Sequence, residues 1–330
     1  FTKLPLIQEF NKVIFKKNNS KRHFPLSNIL SNQIDQELDD YEPPTKKKLI
    51  NIDRSSSPYY LKLNNNSNAC YANSIIQAFL SLDDNFFKQV IGKEKTCEFA
   101  KNFAIFVKNY SKKKQYNYSA QSLRNYITTL SPQNNYDLPI MNCSFSFLIE
   151  ILQKHDWLNV LFKFKSTLSR NCITCNYKST FTRNHININL TRSTEIQSVS
   201  FTDLFLPTRF QWENSNCSHF DYFEEVKYYD FNDYVIIRLN NVNFIMNNDG
   251  SSSTIILNTK ILNFDPNNVT ISNQHFILHS AILYYHDKLH YTCVKRFNNT
   301  WIEVSDNQYT YNEKFLEHLA NVYILFLKKI

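Results

Sequence analysis

Glycine is almost missing: Gly92 and Gly250 are the only two among 330 residues. Wherever two backbones must approach closely, the residue that permits it is in short supply. No apolar run is long enough to span a bilayer. No secretory leader is visible, although the sequence opens at Phe1 rather than methionine. The seven cysteines lack the dense, even spacing of a secreted disulfide scaffold. There is no helix-turn-helix, zinc-finger or RNP pattern, which argues against specific nucleic-acid binding. No internal repeat is found. These absences favour a reducing cytosolic or nuclear compartment. The formal charge of +8 reads as a solvated basic surface. Heavy use of Asn, Lys, Ile, Phe and Tyr fits an AT-rich coding background.

What is present divides the chain in two. Residues 1–57 are polar, with Lys-rich and Ser-rich patches, and are expected to be disordered. Within them Pro43-Pro44-Thr45-Lys46-Lys47-Lys48 reads either as a basic nuclear-import signal or as a solvated lysine cluster. From residue 58 onward the first half is helical in pattern, with helices expected from Cys70 and over residues 99–110, 120–130 and 145–152. Strands are expected over residues 186–190, 226–229, 234–239, 276–285, 290–297 and 322–327. Helices first and strands afterwards predict an α+β class.

Two segments carry chemistry. In Ser67-Asn68-Ala69-Cys70-Tyr71-Ala72-Asn73-Ser74, a cysteine stands at the mouth of an amphipathic helix whose apolar positions are 71, 75, 76, 79 and 80. A helix N-terminus favours the thiolate, the form that attacks acyl groups. The plain alternative is a buried structural cysteine. Some 220 residues later, His286-Asp287-Lys288-Leu289 reads as a turn, and His290 opens a strand beside it. Trp301-Ile302-Glu303-Val304-Ser305-Asp306-Asn307 follows, with polar groups able to orient an imidazole. Nucleophile, base and orienter in that order is the logic of a cysteine hydrolase.

These two segments resemble the cysteine and histidine boxes of the ubiquitin-specific protease family of deubiquitinating enzymes. Asn65, Asn68, Cys70, Tyr71, Asn73, Ser74 and Gln77 fall in register with the first box, and His290, Tyr291, Trp301 and Asp306 with the second. The stretch 234–239 is similar to the family's L-x-x-H-L strand, and 320–326 to its closing strand; the likeness spans about 58–330. The resemblance implies a papain-like cysteine peptidase fold: a helical thumb over about 58–165, β fingers over about 166–232 and an antiparallel β palm over about 233–330. It implies Cys70 as nucleophile and His290 as base. Asn65 matches the position whose amide stabilises the oxyanion. The family's orienting Asp or Asn falls on Ser305, a residue some members carry there, and Asp306 is adjacent; either is a candidate, and Asp306 alternatively serves only its turn. The implied partner is ubiquitin or a ubiquitin-like modifier, joined through its C-terminus to a substrate lysine.

The departures are specific. Leu289 and Ser67 replace family glycines, and Cys143-Ser144-Phe145-Ser146-Phe147-Leu148 lacks the two acids that grip arginines of the ubiquitin tail. Family members often bind zinc through two C-x-x-C pairs. Here Cys172-Ile173-Thr174-Cys175 provides one, on an expected hairpin, while Cys217-Ser218-His219 replaces the other with an awkward separation. A structural zinc and a metal-free remnant knuckle are both open. So are two functions: an active thiol isopeptidase, or a pseudo-deubiquitinase retained as a binding or scaffold module.

Overall fold

The computed structural model describes residues 59–330, save for 66, 115, 192–197, 212–216, 220, 241, 247–251, 257–259 and 298–299. The expected disordered tail over 1–57 and the Pro43–Lys48 signal lie outside the described residues. Seven α-helices and eighteen strands are present among those described, and the class is α+β.

Six helices come first: α1 (Cys70–Leu80), α2 (Asp84–Lys93), α3 (Glu98–Ser111), α4 (Gln121–Leu130), α5 (Ser144–Lys154) and α6 (Asp156–Phe162). All eleven residues of α1 are buried, polar ones included. Phe79 forms its hub, with ring centroids of Phe86 at 5.3 Å, Phe103 at 5.7 Å and Phe326 at 6.1 Å. The sequence reading had no helix at α2 or α6. Both are short, and α2 buries only Phe86, Phe87 and Val90, too few for a clear periodic signal. Its start is nonetheless marked by Asp83, which accepts from the N–H groups of Asn85 and Phe86 at 3.1 and 3.2 Å, satisfying two of the orphan donors of the first turn. Two short strands, β1 (Lys62–Leu63) and β2 (Asn117–Tyr118), pair in parallel beside these helices.

A four-stranded antiparallel sheet follows, in the order β4 (Lys178–His185), β3 (Phe164–Cys172), β8 (Asp221–Tyr229), β7 (Thr208–Gln211). The expected hairpin around Cys172 and Cys175 is the β3–β4 connection.

The larger sheet has eight strands. Its path is β17 (Gln308–Tyr311), β16 (Thr300–Ser305), β15 (His290–Phe297), β14 (Gln274–Tyr285), β18 (Val322–Lys329), β9 (Tyr234–Asn240), β5 (Ile188–Thr191), with β13 (Val269–Ile271) also on β14. Helix α7 (Phe315–His318) lies between β17 and β18 in sequence. Small accessory pairs are β6 (Ser198–Ser200) with β12 (Lys260–Leu262), and β10 (Val242–Met246) with β11 (Ser252–Ile256). Two features depart from expectation. Strand β5 belongs to this sheet and not to the 166–232 unit, because Ile188 and Leu190 are buried against it. And β5 runs parallel to β9, so the sheet is not wholly antiparallel.

Alternation along β9 separates two cores, as the two-residue period of a strand requires. Tyr234 and Ile236 join the cluster built with the helices, while Val235, Ile237 and Leu239 join a second cluster on the opposite face. The helix layer thus rests on one face of the sheet, with α1 packed across β15 and β14.

Candidate active site

Cys70 is the first residue of α1. The turn before it is fixed by backbone bonds from Ala72 and Asn73 to the Ala69 carbonyl, at 2.9 and 2.8 Å. Asn68 takes a left-handed conformation, φ 53°, which Asn tolerates better than most residues. Behind the loop lies Arg124, fully buried on α4. Its guanidinium donates to Tyr71 Oη at 3.0 Å, Tyr136 O at 2.7 Å, Ser67 Oγ, Gln121 Oε1 at 3.0 Å and Leu138 O. One rigid fork therefore ties the loop before Cys70 to the segment around 136–138. Sequence reading missed Arg124. The available signal was its position three residues before Ile127, on the apolar face of α4, where both are buried.

His290 opens β15 immediately after the turn, as expected. The turn closes on Leu289 at φ 49°, so leucine occupies a left-handed position where glycine would be unstrained. His290 Nε2 lies 2.9 Å from Ser305 Oγ, at the end of β16. The nearest Asp306 oxygen is 3.8 Å from the same nitrogen. Ser305 is the hydrogen-bond partner, and Asp306 stands just behind it. The Asp306 carboxylate accepts from Asn73 Nδ2 at 2.8 Å, and the nearby Asn65 amide also favours its charge. With Nε2 engaged, Nδ1 is the ring's remaining atom for proton transfer.

The sulfur and the imidazole strand meet through the backbone. The N–H of Tyr291, next in sequence to His290, faces Cys70 Sγ and favours its thiolate. Among the described residues no hydrogen bond joins that sulfur to the His290 ring itself. Electrostatics correct the expectation of a thiolate favoured by the helix mouth. Cys70 is only 3% exposed, and burial pushes its thiol above the usual value; the Tyr291 N–H pulls back, the Asp306 charge pushes further up, and the N–H groups of Tyr71 and Cys70 pull down. Desolvation outweighs the helix terminus here. Burial also raises the Asp306 carboxyl, opposed by the Asn73 amide, the His290 imidazole and the Asn65 amide.

Asn65 sits at this site, its amide beside Asp306, whose charge it favours, and its buried Oδ1 without a partner. The amide carries two N–H groups, so the expected oxyanion donor can serve the carboxylate that backs the histidine and still offer a second N–H. That pairing of positions 65, 73 and 306 could not be read from spacing, because it joins a loop, a helix and a strand end.

A second constellation lies in the four-stranded sheet. One ligand atom each from Cys172, Cys175, Cys217 and His219 falls within 4.8 Å of all the others. Cys175 Sγ is 3.5 Å from Cys217 Sγ, and Cys217 Sγ is 3.6 Å from His219 Nδ1. The Cys-x-His separation is workable because the chain bends at Ser218, between the two ligands. Cys172 Sγ accepts the N–H groups of Thr174 and Cys175, each at 3.4 Å. The Tyr222 hydroxyl, foremost among several donors, draws the Cys217 thiol down to about 6, so it is a ready thiolate ligand at neutral pH. The donor set and its spacing fit a metal ion.

Among the described residues no helix is long and apolar enough to cross a membrane. The chain matches no known protein-family profile, and no curated protein matches it.

Proposed function

We propose that the chain is a thiol-dependent deubiquitinase, hydrolysing the isopeptide bond between the C-terminus of ubiquitin, or a ubiquitin-like modifier, and a substrate lysine. On this reading the helix layer is the thumb, the eight-stranded sheet the palm and the four-stranded sheet the fingers of a papain-like peptidase. The observation that carries it is the convergence of two segments about 220 residues apart: the helix that starts at Cys70, packed on β15, and His290 at the head of β15, held by Ser305 at 2.9 Å.

The reaction follows from those parts. His290 Nδ1 takes the Cys70 proton, and the sulfur forms a bond to the C-terminal glycine carbonyl carbon. The tetrahedral oxyanion faces the N–H groups at the start of α1 and the Asn65 amide, whose loss costs about 10²–10³ in rate in comparable sites. Collapse breaks the C–N bond, and the imidazolium protonates the leaving lysine amine. Water, deprotonated by the same imidazole, then cleaves the thioester and restores the thiol. Because Cys70 is 3% exposed, the covering segments must part for a tail to enter.

Zinc is the metal that suits a three-cysteine, one-histidine set. Cys172, Cys175, Cys217 and His219 would hold it with no position left for water, so it would pin the β3–β4 turn to residues 217–219 and take no part in hydrolysis. A cytoplasmic or nuclear location follows from a nucleophile that must stay reduced.

The test is incubation with ubiquitin carrying a C-terminal electrophile. A covalent adduct that vanishes in Cys70→Ala supports the reading; no adduct with ubiquitin or any related modifier removes it. The burial of Cys70, which raises its thiol, favours a second reading, a pseudo-deubiquitinase that binds the modifier without cleaving it. That reading expects ubiquitin affinity equal in wild type and Cys70→Ala, with no adduct.

A further inference from the structure

The end of the larger sheet that carries His290 also carries an unspent cation. Strand pairing sets Tyr285 opposite His290, Leu283 opposite Val322, and Ile324 opposite Arg238. Arg238 therefore lies at the same end of the sheet, on the face that meets the helices. Its guanidinium is clamped between two rings, 4.5 Å from the Phe145 centroid and 5.4 Å from that of Tyr323. The Tyr323 hydroxyl is itself 3.2 Å from Cys143 Sγ. The Tyr323 ring stands 6.0 Å from that of Tyr291, whose N–H faces the Cys70 sulfur and favours its thiolate. A continuous wall thus runs from the nucleophile to Arg238.

Three observations at that far end point to a missing acceptor. Arg238 makes no ion pair among the described residues, and its Nε is buried without a partner. Phe145 belongs to the first turn of α5, which has no side-chain cap and no acidic residue, so the unpaired N–H groups of that turn add positive potential. Ser144, 0% exposed at the first position of α5, has an unpartnered Oγ.

We propose that Arg238 and the first turn of α5 form a subsite for an acidic side chain on the modifier's tail. This rests on the isopeptidase reading and names the class of tail it takes. From β15 across β14 and β18 to β9 is three strand spacings, about 14 Å, and pairing sets Arg238 level with Cys293, three residues or about 10 Å in from His290, so the span is about 17 Å and an extended peptide covers it in about five residues. The carboxylate stands about five residues before the scissile carbonyl. A tail with Arg or Lys there meets a like charge and is rejected.

The test uses full-length Cys70→Ala protein and fluorescein-labelled peptides ending in Gly-Gly, with Glu, Gln or Arg five residues before the terminal glycine. Fluorescence anisotropy should show the Glu peptide binding at least ~10-fold tighter than the Arg peptide, as one charge-assisted pair implies. Arg238→Gln should bring all three within about twofold, and Arg238→Glu should invert the order, since the sign of the charge sets the preference. Circular dichroism checks that both variants fold. Equal or reversed preference in the unsubstituted subsite, or no binding of any peptide, overturns the proposal. Hydrolysis is not read here. If ubiquitin forms an adduct at Cys70 while no acidic preference exists, only the subsite is lost; an acidic preference with no adduct at Cys70 from a Glu-bearing peptide that ends in the same electrophile removes the isopeptidase reading instead.

Discussion

Removing the charge of Asp306 should harm catalysis more than removing the hydrogen bond of Ser305, although Ser305 is the nearer group. Ser305 Oγ makes one neutral bond to His290 Nε2 at 2.9 Å. Such a bond contributes about 1 kcal/mol, so Ser305→Ala should slow the reaction about fivefold. Asp306 stands 3.8 Å from the same nitrogen, with side chains 24% and 13% exposed for the histidine and the aspartate. A full charge at that distance attracts imidazolium by about 4 kcal/mol at an effective dielectric of 20. The Asn73 and Asn65 amides share that charge, so about half of it reaches the ring. Asp306→Asn should then cost about 2 kcal/mol, or about 30-fold. The assay is the second-order rate of adduct formation with the ubiquitin electrophile, with folding checked by circular dichroism. Asn65→Ala separates the two routes by which Asp306 acts, since it spares the charge and removes only the amide. The reasoning is refuted if Ser305→Ala abolishes reaction while Asp306→Asn stays within about threefold of wild type.

Three further outcomes are expected. Asp83 caps α2 and pairs with Lys328 and Tyr234; burial pushes its carboxyl up, but those two partners pull it below the usual 3.8 overall. Its folded value being depressed, the stability it contributes is complete above about pH 4 and is lost as pH falls through the folded value. Asp83→Asn should cost about 1–3 kcal/mol at pH 7 in urea unfolding, and the gap to wild type should narrow below pH 4; a gap that widens in acid contradicts the sign. For the metal, elemental analysis should find one zinc per chain, and removal by a chelator should lower Tm without touching the adduct rate of the protein that remains folded; a metal-free preparation of unchanged Tm refutes the site. Leu289→Gly should relieve a left-handed leucine that is 52% exposed. Left-handed strain of about 1–2 kcal/mol outweighs the roughly 0.5–1 kcal/mol entropy loss of glycine, so the urea midpoint should rise slightly; a fall shows that the leucine side chain has a packing role.

The sequence made the local features legible. The spacing of positions 71, 75, 76, 79 and 80 placed α1, and the turn before His290 placed β15 to the residue. The hairpin that presents Cys172 and Cys175 was visible for the same reason, a strand, a turn and a strand in succession. What escaped was set by contacts distant in sequence. The parallel docking of β5 on β9 is decided by burial of Ile188 and Leu190, not by their neighbours. The state of the Cys70 thiol depends on how much protein covers it: the N–H groups of the first turn pull it down, as a helix terminus should, and burial outweighs them. The Asp306 grip on Asn65 and Asn73 spans more than 230 residues, beyond any periodicity.

The complete enclosure of α1 has a kinetic corollary. With no residue on a wet face, the amide protons of this helix can trade with deuterium only when the whole domain opens, so their exchange should report global stability. On the isopeptidase reading Cys70 is then the anchored partner, and a tail would have to be admitted by what flanks it, such as the hairpin tip that ends at Leu289, with its half-exposed side chain.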